Sequence, residues 1–186
     1  YWIINTSLKS NTEIYLSNPT FFPQTLVFDG YRKLFLDTPF VQSIVNSFIV
    51  SLSVAVITVF FSMIASYSIA RLNVRGGAAL SKGILYTYLV PKNLLFIPLY
   101  IMISAIGIVG SRASLIFLYP TFTIPYAMWM LIAYFKTVPK EMEDAARVDG
   151  CGHLQTMFLV FFPLARPGIV STFIFCFTLA WNEYLY

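Results

Sequence analysis

Charge is scarce in this chain: Asp, Glu, Lys and Arg make up 11% of 186 residues, against 58% hydrophobic. That balance excludes an ordinary soluble domain and marks an integral membrane protein. Histidine is almost missing too. His153 stands alone, without a second residue to share a metal or serve a nucleophile, and its plainer reading is a polar residue at an interface. The two cysteines, Cys151 and Cys176, have no metal-ligand spacing and suggest no disulfide framework, so both are read as structural. A Gly-rich phosphate loop is absent, because the GGAALSKG stretch at 76–83 has neither the spacing nor the strand-to-helix context. If nucleotide energy is used, another chain must bind the nucleotide. No apolar segment carries the paired His, Asp or Ser groups of a membrane-embedded enzyme. The net charge of +4 points to basic residues at membrane edges and not to nucleic acid as a partner.

What is present is a series of long apolar runs, from which we expect an all-α, polytopic transmembrane helical bundle. The chain opens at Tyr1 without Met, charged leader or cleavage-site pattern and closes inside an apolar run, so it is expected to be a piece truncated at both ends. Residues 1–39 are read as the end of a preceding span plus an outer loop, since 7–39 carry Pro19, Pro23, Gly30 and Pro39 and show no sustained period. Residues 40–135 are read as three transmembrane helices with a short inner loop at 71–83. The first, Phe40–Ala70, is uncharged and would be about 46 Å long as a helix, more than the roughly 30 Å of a hydrocarbon core. Its Ser43, Ser47, Ser51 and Ala55 recur every fourth residue, a small-residue stripe for close helix packing. The second, Ile84–Val109, is expected to be interrupted at Pro91 and Pro98, and the third, Leu115–Phe135, to kink at Pro120 and Pro125. Residues 168–186 begin a further span.

Charge gathers densely only at 136–167, KTVPKEMEDAARVDGCGHLQTMFLVFFPLARP. Pro139 suits a first helical turn and the acidic Glu141 and Glu143 suit the positive end of a helix dipole, so a short helix is expected there, stopped by Gly150. Leu154, Met157, Phe158 and Phe161 recur at helical spacing and predict a second short helix with an apolar face, ended by Pro163 and Pro167. The result is a polar elbow between two spans. Arg71, Arg75, Lys82, Lys136, Lys140, Arg147 and Arg166 fall on one side of the membrane and Lys9, Arg32, Lys33 and Arg112 on the other, which places the elbow in the cytoplasm by the positive-inside rule.

The elbow carries a resemblance. Asp144-Ala145-Ala146, three residues, Gly150, nine residues, Val160, one residue and Phe162-Pro163 resembles the EAA signature of importer-type ABC permeases, with Asp144, Val160 and Phe162 replacing Glu, Ile and Leu. Asp144 reaches about one methylene less far than the glutamate of the pattern. Arg147-Val148-Asp149-Gly150, Arg166-Pro167, Trp181-Asn182-Glu183 and the early Ser7-Leu8-Lys9 with Glu13 resemble the maltose-type branch of carbohydrate permeases, so the likeness covers nearly the whole chain.

The resemblance implies a multi-pass permease subunit in a bacterial inner membrane, forming half of a pathway for a sugar or oligosaccharide. It further implies a second permease subunit, two cytoplasmic ATP-binding subunits that hold ATP and Mg, and an extracytoplasmic solute-binding protein. This chain itself would hold no cofactor and catalyse nothing. Glu143, Asp144, Ala145, Ala146, Arg147, Asp149 and Gly150 are the expected ATPase-coupling residues. Lys92, about 13 Å along its helix, and Glu183, about 22 Å along its own, lie at membrane depth. With Asn93 and Asn182 they are the candidate substrate-pathway residues, Lys92 either facing the pathway or else snorkelling or pairing with a neighbouring helix. The broken span and these two charges also fit an ion-coupled secondary transporter, which would need no ATPase.

Overall fold

A computed structural model of the chain describes residues 1–16, 18–72 and 74–184, with the backbone alone at Leu85. It separates into two compact units, Tyr1–Asn46 and Ser47–Tyr186.

The first unit contains α1 (Trp2–Ser7), α2 (Asn11–Ile14) and α3 (Asp29–Leu36). The stretch expected to be plain loop is therefore partly helical. Its order comes from polar contacts that leave no hydropathy period. Ser10 caps α2 by accepting from the Glu13 amide at 3.3 Å. The buried Glu13 carboxylate accepts from the Gln24 amide at 3.1 and 3.2 Å and from the Thr20 hydroxyl. Lys9, also buried, lies 4.0 Å from that carboxylate and donates to the Thr20 carbonyl.

The longest element of the second unit is α4 (Phe40–Arg71), whose residues from Ser47 onward belong to it. Its small-residue stripe differs from the expected one. Ser51 and Ala55 are fully buried, but Ser43 and Ser47 are exposed, and the buried line continues through Thr58, Ser62 and Ser66. The reason is geometric: each four-residue step overshoots a full turn by about 40°, so a strict repeat of four walks off one face. A mixture of three- and four-residue steps stays on it. Along this line α4 meets three apolar clusters in turn, centred on Val50 and Val54, on Ala55 and Val59, and on Tyr67. The hydroxyls of Thr58 and Thr123 share a hydrogen bond of 2.7 Å inside the contact.

The span expected at Ile84–Val109 appears as α5 (Gly77–Tyr88) and α6 (Lys92–Ile106), bent 93° to each other. The break falls at Pro91, which precedes α6, whereas Pro98 sits within α6 without ending it. Gly107 closes α6 at φ +79°, the left-handed conformation that a glycine adopts without steric penalty. Then α7 (Arg112–Leu118) and α8 (Pro120–Phe135) run on as 24 continuous residues, Tyr119 between them keeping helical dihedrals. Pro120 occupies the first turn of α8, where its missing N–H is harmless.

The elbow follows as α9 (Glu141–Val148), α10 (His153–Gln155), a π-helical turn (Thr156–Phe161) and α11 (Phe162–Leu164), and then α12 (Arg166–Trp181), bent 77° from the preceding segment. The helical segment His153–Leu164 ends as expected between Pro163 and Pro167, and Pro167 lies in the opening turn of α12, where proline is tolerated. The apolar face, however, is shifted: Met157, Phe161 and Phe162 are buried, while Leu154 and Phe158 are exposed. A π turn inserts extra residues into the helical register and so re-aims the side chains that an unbroken 3.6-residue period would align.

Among the described residues two helices, Phe40–Arg71 and Arg112–Phe135, are long and apolar enough to cross a membrane, and up to four segments are if each bent pair is one span. The described residues contain no strand, as expected of an all-α bundle.

Candidate functional site

Two charged groupings lie apart from each other in the second unit. One is built on the elbow. Glu141, Glu143 and Asp144 fall in the first turn of α9 and Arg147 in its last, each at the helix end that its charge suits. Gly150 then turns the chain at φ +89°, and the Cys151 amide donates back to the Ala146 carbonyl at 3.0 Å. The Gln155 side chain accepts from the Gly152 amide at 3.0 Å and so starts the next helix.

The predicted coupling residues separate into two faces. Asp144, Ala145, Arg147, Asp149 and Gly150 are exposed, together with Met142 and with Val148, which is 88% exposed. Glu143 and Ala146 point inward and are buried. Glu143 Oε2 accepts a 2.8 Å hydrogen bond from the Tyr67 hydroxyl, and Glu143 Oε1 lies 3.1 Å from Arg71 Nε. That second contact is a pairing of charges without the alignment of a hydrogen bond. Arg71 also donates through Nη2 to the Val138 carbonyl, in the connection between α8 and α9. Its guanidinium stacks over the Phe161 ring with 4.9 Å to the centroid, and the Tyr67 ring meets Phe161 edge-on, also at 4.9 Å.

Both side chains of the ion pair are nearly inaccessible, at 4% for Arg71 and 6% for Glu143. Desolvation offsets much of the attraction in such a pair, so its net stabilisation is small. Removing one partner alone, however, typically costs about 3–5 kcal/mol, because a charge is left buried. Sequence reasoning treated Arg71 as a loop-edge charge and passed over Tyr67. The available signal was their spacing: Tyr67 and Arg71 are four apart, about one turn, and Tyr67 directly follows Ser66 at the end of the buried line of α4.

The second grouping joins the two candidate pathway charges. Lys92 Nζ donates to Glu183 Oε2 at 2.9 Å, and the ammonium lies over the Phe122 ring, 4.4 Å from its centroid. The Lys92 side chain is 38% exposed and that of Glu183 is 7%. Lys92 is thus paired with Glu183. Asn93 and Asn182, beside the pair in sequence, are exposed. Among the described residues no group of His, Cys, Asp and Glu is arranged to hold a metal ion.

Residues 40–186 match the family described as binding-protein-dependent transport system inner membrane component. The chain belongs to that family. Over 186 residues it is 36% identical to the inner membrane ABC transporter permease protein YcjP of Escherichia coli strain K12, covering 99% of this chain and 66% of YcjP. It is 33% identical to the sulfoquinovosyl glycerol transport system permease protein SmoH of Agrobacterium fabrum, over 99% of this chain and 65% of SmoH. With the trehalose transport system permease protein SugB of Mycobacterium tuberculosis the identity is 35%, over 99% of this chain and 66% of SugB. The chain therefore spans about two thirds of the length of the curated relatives it matches. Its fold is shared with a chain of a bacterial ABC transporter involved in the import of the acidic polysaccharide alginate, at a TM-score of 0.84 and 22% identity, covering 98% of this chain and 64% of that one.

Proposed function

We propose that this permease is a pore-forming subunit of an ATP-driven importer for a sugar or oligosaccharide, and that α9 with the turn after it docks on a cytoplasmic ATPase. The observation that carries the docking is the division of α9 into a locked inner face and an outer face where Asp144 and Arg147 alternate with the bare apolar Val148. Leu154, 70% exposed, extends that outer face past the glycine turn. An isolated helix gains nothing from apolar side chains held in water, whereas a groove on a partner would bury them. The ATPase would hold ATP and Mg and do all of the hydrolysis. A second permease subunit would complete the pathway, and an extracytoplasmic binding protein would deliver the solute. The setting is a bacterial inner membrane, crossed several times.

Sugar import is supported by what the relatives are named for, trehalose and sulfoquinovosyl glycerol among them. Lys92, Asn93, Asn182 and Glu183 are the proposed pathway residues. Because Lys92 and Glu183 neutralise each other, the pair offers a donor and an acceptor without net charge, a better match to hydroxyl groups than to a lone anion.

The test uses the full-length permease with its partner subunits in proteoliposomes. ATP-dependent solute uptake is expected, with an ATPase that stays bound through purification. Val148→Asp is expected to release that ATPase while membrane insertion survives. Uptake driven by an ion gradient in this protein alone, or full ATPase retention and transport in Val148→Asp, would overturn the proposal.

A further inference from the structure

A helix that receives force from a partner transmits it only if it is held at more than its two ends. Within the permease, α9 is joined to α8 through residues 136–140, which are not helical in continuation of either element, and to the next segment through Gly150 at φ +89°. Neither joint continues a helix. A third attachment is provided by the buried side chains already described. Glu143, on the inner face of α9, is gripped by Tyr67 and Arg71 from the C-terminal end of α4, and Arg71 simultaneously holds the Val138 carbonyl inside the connection between α8 and α9. Phe161 of the π turn lies against both the guanidinium and the tyrosine ring and excludes water from the pair.

We infer that Tyr67, Arg71 and Glu143 are positioning residues for coupling: they fasten α9 to α4, so that a displacement of the elbow is delivered to the long central helix. Resting on the docking reading above, this deepens it by naming the route of the force inside the chain. An apolar contact would hold the same elements together with equal or greater stability. It would also let them slide. An ion pair with a fixed phenol and a backbone carbonyl as its other partners has one register, because any shift strands buried charge. The helix thus clasped contributes to three apolar clusters that also hold residues of α8 and α12, so its movement reaches both directly.

The experiment measures solute uptake and ATP hydrolysis together, in proteoliposomes of the full-length permease with its ATPase and partner permease. Arg71→Gln is expected to keep the ATPase bound and hydrolysing while the solute moved per ATP falls about fivefold, the scale of interaction within one network. Arg71→Lys, which keeps the charge, is expected to recover part of that ratio. The double variant Arg71→Gln with Glu143→Gln removes the stranded charge and should keep the ATPase bound without restoring the ratio. A purely structural role would do the opposite, lowering the yield of complex and leaving the ratio of what assembles unchanged. Tyr67→Phe deletes one hydroxyl from otherwise intact packing and carries the test by itself if the charge variants do not assemble, with a reduced ratio expected. An unchanged ratio in every variant that assembles overturns the inference. If that happens while Val148→Asp still strips the ATPase, the docking reading stands and only the clasp is wrong.

Discussion

Lys92 at the start of α6 and Glu183 just beyond α12 are 91 positions apart in sequence and 2.9 Å apart in space. They join one arm of a bent span to the end of another helix, with Phe122 of α8 beneath the ammonium. The two charges should therefore act as a unit. In a double-mutant cycle on Lys92→Met and Glu183→Gln, the double variant is expected to lose less than the sum of the single losses, by about 0.5–3 kcal/mol in thermal unfolding of the assembled full-length protein. Uptake should show the same non-additivity. Strictly additive effects would mean that the contact does not operate in the working protein.

Gly150 is a backbone requirement and not a packing one. At φ +89° it lies where L residues are strained, yet a Cβ added there would meet nothing within 4 Å. The cost of Gly150→Ala should thus be conformational alone, about 1–2 kcal/mol. Gly150→Asn should be milder, since asparagine visits this region more readily, and Gly150→Val worse because it is β-branched. Transport coupled to ATP hydrolysis is expected to fall in the order Asn, Ala, Val while membrane insertion persists. Equal tolerance of all three would contradict the observed turn.

The corrected stripe on α4 makes a sharper distinction than the regular repeat suggested. Ser62 is fully buried and Ser47 is exposed, although both belong to runs of small residues. Ser62→Leu must push its neighbours apart, at about 1–3 kcal/mol. Ser47→Leu should leave the fold of this chain within about 0.5 kcal/mol, as surface substitutions do. Thermal denaturation in detergent compares the two, and similar losses would show that the buried line has been misplaced.

How far the sequence could be read depended on whether the deciding interaction was local. The length of α4 was legible from 31 uncharged residues ending at Arg71, and the turn at Gly150 from its residue type and its spacing after Asp144. The inward direction of Glu143 was not. Among Glu141, Asp144 and Arg147 it looks like one more solvated charge, and only Tyr67, 76 positions away, and Arg71 make its burial tolerable. Leu154 and Phe158 were placed on the apolar face because a π turn leaves no pattern of residue types to betray it. The distances of Lys92 and Glu183 along their helices were counted on unbroken helices, whereas the chain bends just before Lys92 and α12 ends at Trp181, and the meeting of the two residues required knowing which helices are neighbours. The polar order of the first unit was hidden for a related reason, since Glu13 is held by backbone amides that no hydropathy pattern records.

Gly168 and Tyr134 set the distance between α8 and α12. A Cβ built on Gly168 would fall 2.3 Å from Tyr134 Cδ1 and 2.4 Å from Cγ, the latter at the root of the ring, so rotating the ring about its own axis cannot clear it. Gly168→Ala must therefore separate the helices or drive Tyr134 from its rotamer, at a cost of about 1–3 kcal/mol despite alanine's better helix propensity. The neighbouring Thr172 hydroxyl, bonded at 2.8 Å to the Gly168 carbonyl, ties that turn of α12 and limits how far it can yield. Truncating the opposing side chain to its Cβ removes the clashing atoms, so Gly168→Ala should cost less on a Tyr134→Ala background than beside the intact tyrosine. Thermal unfolding of the two single variants and the double variant decides it: if Gly168→Ala costs as much in both backgrounds, the close approach of these helices is not governed by this glycine.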